Sequence, residues 1–451
     1  MECLSAGDPP RLKRVLTLKD LIVYGMIILQ VVGPLPTFGF LEQRSNNHAV
    51  ITALIAMLPM VATAVSYGRM ARLYPMAGSA YTYVGRSLNP YLGFLVGWSM
   101  FLDYWMILLI SALIPALAIQ RMLPQVPLSL LCFLIIAAMT ALNLRGIRAT
   151  LRANQLLLVI SSTVVVAFVI LAARHLMLKS GWAGILSLKP LYDPATFHPQ
   201  AILSGISLAA ITYIGFDGVT TLAEDSVHPQ RDMVLATVLV AVIIGFLSAL
   251  ELYFLQSVMP DWRSVDPNTS YLDVMSRVGG PILFMVFLVV MSVSQFGSGF
   301  SVQVNVARLL YGMGRDRVLP HKFFGYLSPQ RQNPSRNILF VGMLAFLGTV
   351  VVPFERALDL LNFGAFLGFM GVNLAVIVSY FLRPPAGHRR SVLWDILLPG
   401  AGGGGCLLFW IGLPEQAKVV GCLWVLVGLA YCAFKTRGFR ERPLHFDFQE
   451  G

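Results

Sequence analysis

The chain has 451 residues, 57% hydrophobic and only 12% charged, with a formal net charge of +11. Soluble domains carry about 25% charged residues, so this composition excludes an ordinary soluble protein and indicates one that crosses a bilayer many times. The five cysteines (Cys3, Cys132, Cys406, Cys422, Cys432) have neither paired nor metal-binding spacing and are expected to be unbridged.

A basic stretch (Arg11, Lys13, Arg14, Lys19) precedes the first apolar segment, which is long enough to stay in the membrane and is not expected to be a removable signal. Apolar spans follow near 18–41, 49–70, 91–120, 127–144, 152–173, 201–222, 233–259, 279–310, 337–352, 357–382, 392–413 and 417–434, twelve in all. The ninth is short, with Pro353 between it and the tenth. Of the 33 Lys and Arg residues, 23 fall in segments on the side of the N-terminus and 9 on the other. The positive-inside rule then predicts a multi-pass inner-membrane protein with both termini cytoplasmic. Basicity is thus a matter of orientation, and no nucleic-acid partner is expected. The expected partners are the bilayer and a small molecule, with no obligatory protein partner. With tails as short as 1–17 and 435–451, no signalling domain is expected.

Two spans are interrupted. The first carries Gly33-Pro34-Leu35-Pro36, and the sixth runs Ile211-Thr212-Tyr213-Ile214-Gly215-Phe216-Asp217-Gly218. Five spans separate them, an odd number, so the two units would have opposite orientations. Paired interruptions of this kind point to an inverted-repeat transporter. Asp217 lies between two glycines where the bilayer is thickest, and an ionised carboxylate there needs a wet cavity, a partner charge or a substrate.

Other polar residues in the spans are candidates too. Asp103 with Tyr104 and Trp105 offers an ammonium group both charge and aromatic faces; packing is the alternative. Glu251 in the seventh span is a proton carrier or a solvated interfacial residue. Glu224, Asp225 and Arg231 form a gating or capping ion cluster, with His228 too isolated for a metal site. Ser294, Gln295 and Gly297-Ser298-Gly299 give the eighth span a small polar face, for packing or for an ion or substrate. Gly402–Gly405 is a packing or flexibility feature, since no Lys-Ser/Thr follows it. No His-Glu-x-x-His, Gly-x-Ser-x-Gly or paired metal acids occur, so no enzyme, cofactor or metal is expected.

Eight motifs in order carry a family resemblance. They are Ser66-Tyr67-Gly68-Arg69, the stretch from Tyr74-Pro75 to Thr82-Tyr83, Gly93–Trp98 with Asp103-Tyr104, Gly215-Phe216-Asp217-Gly218, Val306-Ala307-Arg308-Leu309-Leu310-Tyr311, Gly314-Arg315-Asp316, Phe323-Phe324-Gly325-Tyr326 and Asn362-Phe363-Gly364. They resemble the amino acid–polyamine–organocation (APC) family of secondary transporters, and within it the bacterial putrescine importers. The resemblance implies an all-α membrane fold: a five-plus-five inverted repeat over 18–382 with broken helices 1 and 6, and two further helices over 383–434. Its substrate site would lie between the breaks, using Gly33, Pro34, Asp103, Tyr104, Thr212, Gly215, Asp217 and Ser294. Asp217, Glu251, Glu224 and Arg231 would serve proton coupling or gating. Asp217 matches by position the sixth-helix acid that meets the amine, or responds to protonation, in related arginine and putrescine antiporters.

Two departures bear on the substrate. Amino acid carriers of the family cradle the carboxylate on a small triplet at the first break, which by position is Val32-Gly33-Pro34 here. Proline has no N–H, which favours an amine over an amino acid. The putrescine importers have an acid where this chain has Pro36, which points away from putrescine itself. The fifth span has no lysine, so lysine-based coupling is excluded, and the proton is the expected coupling ion ahead of sodium. The expectation is therefore a secondary transporter, in the importing direction, for small organic cations such as polyamines. The alternatives are an amino acid permease or exchanger of the same family and, more remotely, a channel or a transport-derived receptor.

Overall fold

The computed structural model describes residues 16–75, 78–145, 150–223, 226–261, 266–328 and 333–440. Nine helices among them are long and apolar enough to cross a membrane, Leu128–Leu144 and Ser335–Val351 are shorter apolar helices, and the first span is split in two. That gives the twelve expected spans. The fold is all-α; the described residues hold no strand, only one isolated bridge between Leu16 and Ser226. Glu224, Asp225 and most of both tails lie outside the described residues.

The first span opens with a capping box. Thr17 Oγ1 accepts from the Asp20 N–H, and the Asp20 carboxylate accepts from the Thr17 N–H at 2.9 Å. Helix α1 (Leu18–Leu29) then stops, and the span resumes as α2 (Phe38–Ser45). The break begins three residues before the predicted Gly-Pro pair, at Gln30 (φ 58°). Pro34 and Pro36 belong instead to the restart, where a 3₁₀ turn covers Leu35–Thr37. A first turn has N–H groups without intrahelical partners, so prolines start a helix at little cost.

Next come α3 (Ala49–Leu73), the short α4 (Ser79–Ser87), α5 (Pro90–Met122), α6 (Leu128–Arg145) and α7 (Thr150–Ile185). The sixth span repeats the broken pattern with opposite direction. Helix α8 (Pro199–Ala209) tightens into a 3₁₀ turn at Ala210–Tyr213, opens at Ile214, and restarts as α9 (Asp217–Thr220). The remaining elements are α10 (Pro229–Val258), α11 (Ser270–Arg315), α12 (His321–Phe324), α13 (Ser335–Val351), α14 (Phe354–Val376), α15 (Leu398–Ile411) and α16 (Glu415–Lys435). Helix α11 bends at Gly280 (φ 66°), so a further helical piece precedes the predicted eighth span. Pro353 caps α14 and separates the ninth and tenth spans.

The two breaks are pressed together. Gly215 has φ 128°, and a Cβ there would stand 2.8 Å from Ile28 Cγ2 at the end of α1. Only glycine serves both the conformation and the contact.

The last two helices dock through glycines. In α16, a Cβ on Gly421 would lie 2.4 Å from the Phe363 ring, and one on Gly428 2.4 Å from Trp98 Cδ1. Trp98 and Trp424 stack at 4.7 Å and each donates its indole N–H to the other's backbone carbonyl, at 2.9 and 3.0 Å. In α15, Gly402 admits Asn373 and Thr63, and Gly405 admits Pro59; the glycine run is a packing surface. Replacing Gly428 with Leu should push Trp98 away and cost about 1–3 kcal/mol, the usual penalty of overpacking. A lowered unfolding temperature of the detergent-solubilised protein would show it; an unchanged one would mean that α16 contributes little to stability.

Candidate functional site

The face that carries the N-terminus is called here the N-face. Between the two breaks lies a cavity of about 80 Å³ lined by residues of α1, α5, α11, α14 and both interrupted stretches. Its walls are mostly aliphatic, including Ile28, Ile107, Ile110, Ile211, Ile214 and Leu358. Its polar groups are Gln30, Thr37, Ser111, Thr212, Gln295 and Ser298, none of them charged.

These polar groups take up the hydrogen bonding that a broken helix gives up. Gln30 Nε2 donates to Gln295 Oε1 at 3.2 Å, tying the strained residue to α11. Ser298 Oγ approaches the Ile28 carbonyl, left near the end of α1, at 3.5 Å. Inside a bilayer such irregular backbone is tolerated where protein or a cavity answers it. Within the first break, the Gly33 N–H donates to the Gln30 carbonyl and the Leu35 N–H to that of Val32.

Asp217 opens the restarted half of the sixth span, on the N-face side of this cavity. It is fully buried; its Oδ2 accepts from the Tyr104 hydroxyl at 2.7 Å, and its Oδ1 has no hydrogen-bond partner. Tyr104 also lines a second cavity, of about 40 Å³, with Ser79, Tyr81, Thr221, Asn305 and Arg308. It therefore stands between Asp217 and the N-face.

The expected site residues separate into groups. Gly33 and Thr212 line the central cavity, while Asp217 and Tyr104 form a bonded pair below it. Gly215 supplies the turn between them, and Pro34 is buried behind the lining. Asp103 is buried against α14, where a Cβ on Gly364 would be 3.2 Å from its own Cβ, and neither of its oxygens is hydrogen-bonded. Ser294 is away from the central cavity: its hydroxyl pairs with that of Ser161 at 2.7 Å, joining α11 to α7. Glu251 is buried in α10 with both oxygens unpartnered. Arg231 is exposed at the start of α10, and Glu224 is outside the described residues.

An ion pair at the opposite face had no sequence signal. Arg44, at the end of α2, meets both oxygens of Asp359 on α14 at 2.5 and 2.8 Å, and Glu355 at 2.9 Å. Asp359 is wholly buried whereas Glu355 is 44% exposed, so the bidentate Asp359 bond dominates and the Glu355 contact adds little. It latches the half of the first span remote from the N-face to the tenth. At the N-face the restraints are distributed: Tyr81 donates to the Asp316 carboxylate at 3.0 Å, the Val227 N–H donates to the Leu16 carbonyl at 2.9 Å, and Arg69 pairs with Asp395.

Residues 21–433 match the profile of a family described as amino acid permease. The chain is 32% identical to the low-affinity putrescine importer PlaP of Escherichia coli (strain K12), over 95% of each protein. It is 25% identical to the branched-chain amino acid permease BcaP of Lactococcus lactis subsp. cremoris (strain MG1363), over 94% of this chain and 95% of that one. It is 23% identical to the methylthioribose transporter of Bacillus subtilis (strain 168), over 97% of each.

Removing Arg44 leaves Asp359 buried without its partner, a loss of about 3–5 kcal/mol. In a variant without native cysteines, Arg44→Ala should therefore let a water-soluble thiol reagent reach Thr212→Cys about tenfold faster or more. An unchanged rate would show that the pair is a packing contact and not a latch.

Proposed function

The chain belongs to the amino acid permease family, a family of transporters and not of enzymes, and from that premise we propose that it carries small organic cations by secondary active transport with alternating access. The observation that supports this reading is Asp217, a buried carboxylate at the restart of a broken helix beneath a cavity with no other charge. The cavity lining itself holds no charge, so an ammonium group entering between the breaks would reach for Asp217 beneath it, whose unpartnered Oδ1 can accept without disturbing Tyr104. The aliphatic walls suit a methylene chain. The similarity to a putrescine importer agrees with an amine substrate.

We place the N-face in the cytoplasm on the strength of its Lys and Arg excess. The Arg44–Asp359 latch then belongs to the outer gate, and the Tyr104–Asp217 pair to the inner one. For coupling we favour the proton: Asp103, Asp217 and Glu251 are buried carboxyl groups with unpartnered oxygens, costly places for a standing charge.

A second reading, a permease for uncharged amino acids, draws on the neutral amide and hydroxyl lining and on the similarity to BcaP. Competition in proteoliposomes separates the two. Labelled putrescine is offered with excess cadaverine, agmatine, arginine, alanine or leucine, to wild type and to Asp217→Asn. The amine reading expects inhibition by the diamines, indifference to alanine and leucine, and about a hundredfold loss in Asp217→Asn, the equivalent of a charged hydrogen bond of about 3 kcal/mol. Uptake of alanine or leucine in place of the amine would overturn it in favour of the second reading.

A further inference from the structure

A cavity of about 430 Å³ opens at the N-face, remote from the breaks, between the end of α3, the start of α10, the end of the tenth span and the segment leading into α15. Arg69, Arg72, Gln230, Tyr380, Gly387 and His388 line it. Its charges are unevenly used. Arg69 is held by Asp395 and the Trp394 carbonyl, and its guanidinium lies 4.0 Å from the Tyr380 ring centroid. The Asp395 carboxylate is fully engaged, its second oxygen bonding His388 Nε2 at 3.0 Å and the Ser391 N–H at 2.7 Å.

Arg72 forms no ion pair among the described residues. It spends Nε on Gln230 Oε1 at 2.9 Å, and its two terminal nitrogens have no hydrogen-bond partner among the described residues. The sequence between Asp359 and Asp395 contains no Asp or Glu but does contain Arg383, Arg389 and Arg390. Beside the cavity, Val392, Leu393 and Trp394 are exposed, as at a membrane interface, where Trp collects at the headgroup level.

We propose that this cavity binds a phosphate-bearing anion, with the free edge of the Arg72 guanidinium as its principal ligand. A planar guanidinium matches phosphate with two parallel hydrogen bonds. The phosphate is that of an anionic phospholipid headgroup reaching in from the adjoining bilayer, or a free one from solution. Bound there, it joins the end of α3 to the segment before α15 and braces the last two helices against the ten-helix core.

The test uses the full-length protein in a maltoside detergent, which carries no phosphate. Unfolding temperature is measured with added short-chain phosphatidylglycerol, with inorganic phosphate, or with the matching diacylglycerol that lacks the phosphate. Phosphatidylglycerol or phosphate should raise it by about 3–5 °C near saturation, and diacylglycerol should not. A rise with phosphate alone identifies a free-anion site; a rise only with the phospholipid identifies a headgroup site. In either case Arg72→Gln should abolish the rise, Arg72→Lys should keep part of it, and Lys435→Gln, a charge removed elsewhere on the same face, should leave it intact. No rise with either phosphate compound overturns the proposal. So does a rise that survives Arg72→Gln, or one that Lys435→Gln removes equally.

Discussion

A helix broken inside a bilayer releases backbone groups that have no water to turn to, and the core of this protein is arranged to answer them. The chain breaks twice, and each break is built against the other: Gly215 folds around Ile28, and the end of α1 fits the space that the missing Cβ leaves. Helix α11 supplies the side chains that the broken backbone lacks, Ser298 toward the Ile28 carbonyl and Gln295 toward Gln30. Gln30 holds a positive φ that costs about 1–3 kcal/mol outside glycine, and its amide bond to α11 is what the surroundings provide in return. The cavity between the breaks follows from the same constraint. Two helices that cannot continue leave a gap that aliphatic side chains line without filling.

The restraints at the two faces are distributed differently, which matters for the proposed opening of each in turn. The bond from Arg44 to buried Asp359 is one concentrated interaction, and separating its partners exposes two charges that the fold had paired. The N-face is held by several bonds spread over different elements, the Arg69–Asp395 ion pair, Tyr81 to the Asp316 carboxylate, Ser79 to Thr220 and the backbone pair at Leu16. A concentrated latch gives an abrupt opening, whereas distributed bonds can yield one at a time.

Much of this was legible in the sequence. Hydropathy located all twelve spans, because the bilayer requires every backbone group to be satisfied within its own helix and so demands long apolar runs. The break in the sixth span was marked by Gly215 and Asp217, residues that an uninterrupted apolar helix has little use for. The first break was displaced by three residues because its strained position is a glutamine, a residue with no intrinsic preference for positive φ; the prolines that drew attention belong to the restart. What the sequence could not show was pairing over distance. Arg44 and Asp359 are 315 residues apart, Tyr104 and Asp217 113, and Ser161 and Ser294 133. Nothing local in any of these residues names its partner.

The position of Asp217 relative to the cavity carries the substrate argument further than its mere presence. Any amine, amino acids included, could use the unpartnered Oδ1. What separates a simple amine from an amino acid is the carboxylate, which needs donors at the other end of the site. At the first break those donors are reduced twice over. Pro34 has none, and the Gly33 and Leu35 N–H groups are spent on the carbonyls of Gln30 and Val32. Among the side chains nearest the break, the Gln30 amide donates to Gln295 Oε1, and the Thr37 hydroxyl donates to the Pro34 carbonyl at 2.7 Å. A methylene chain would meet the aliphatic walls it prefers. On the proposed reading, the shortage of backbone donors at the first break favours a substrate whose essential charge is positive.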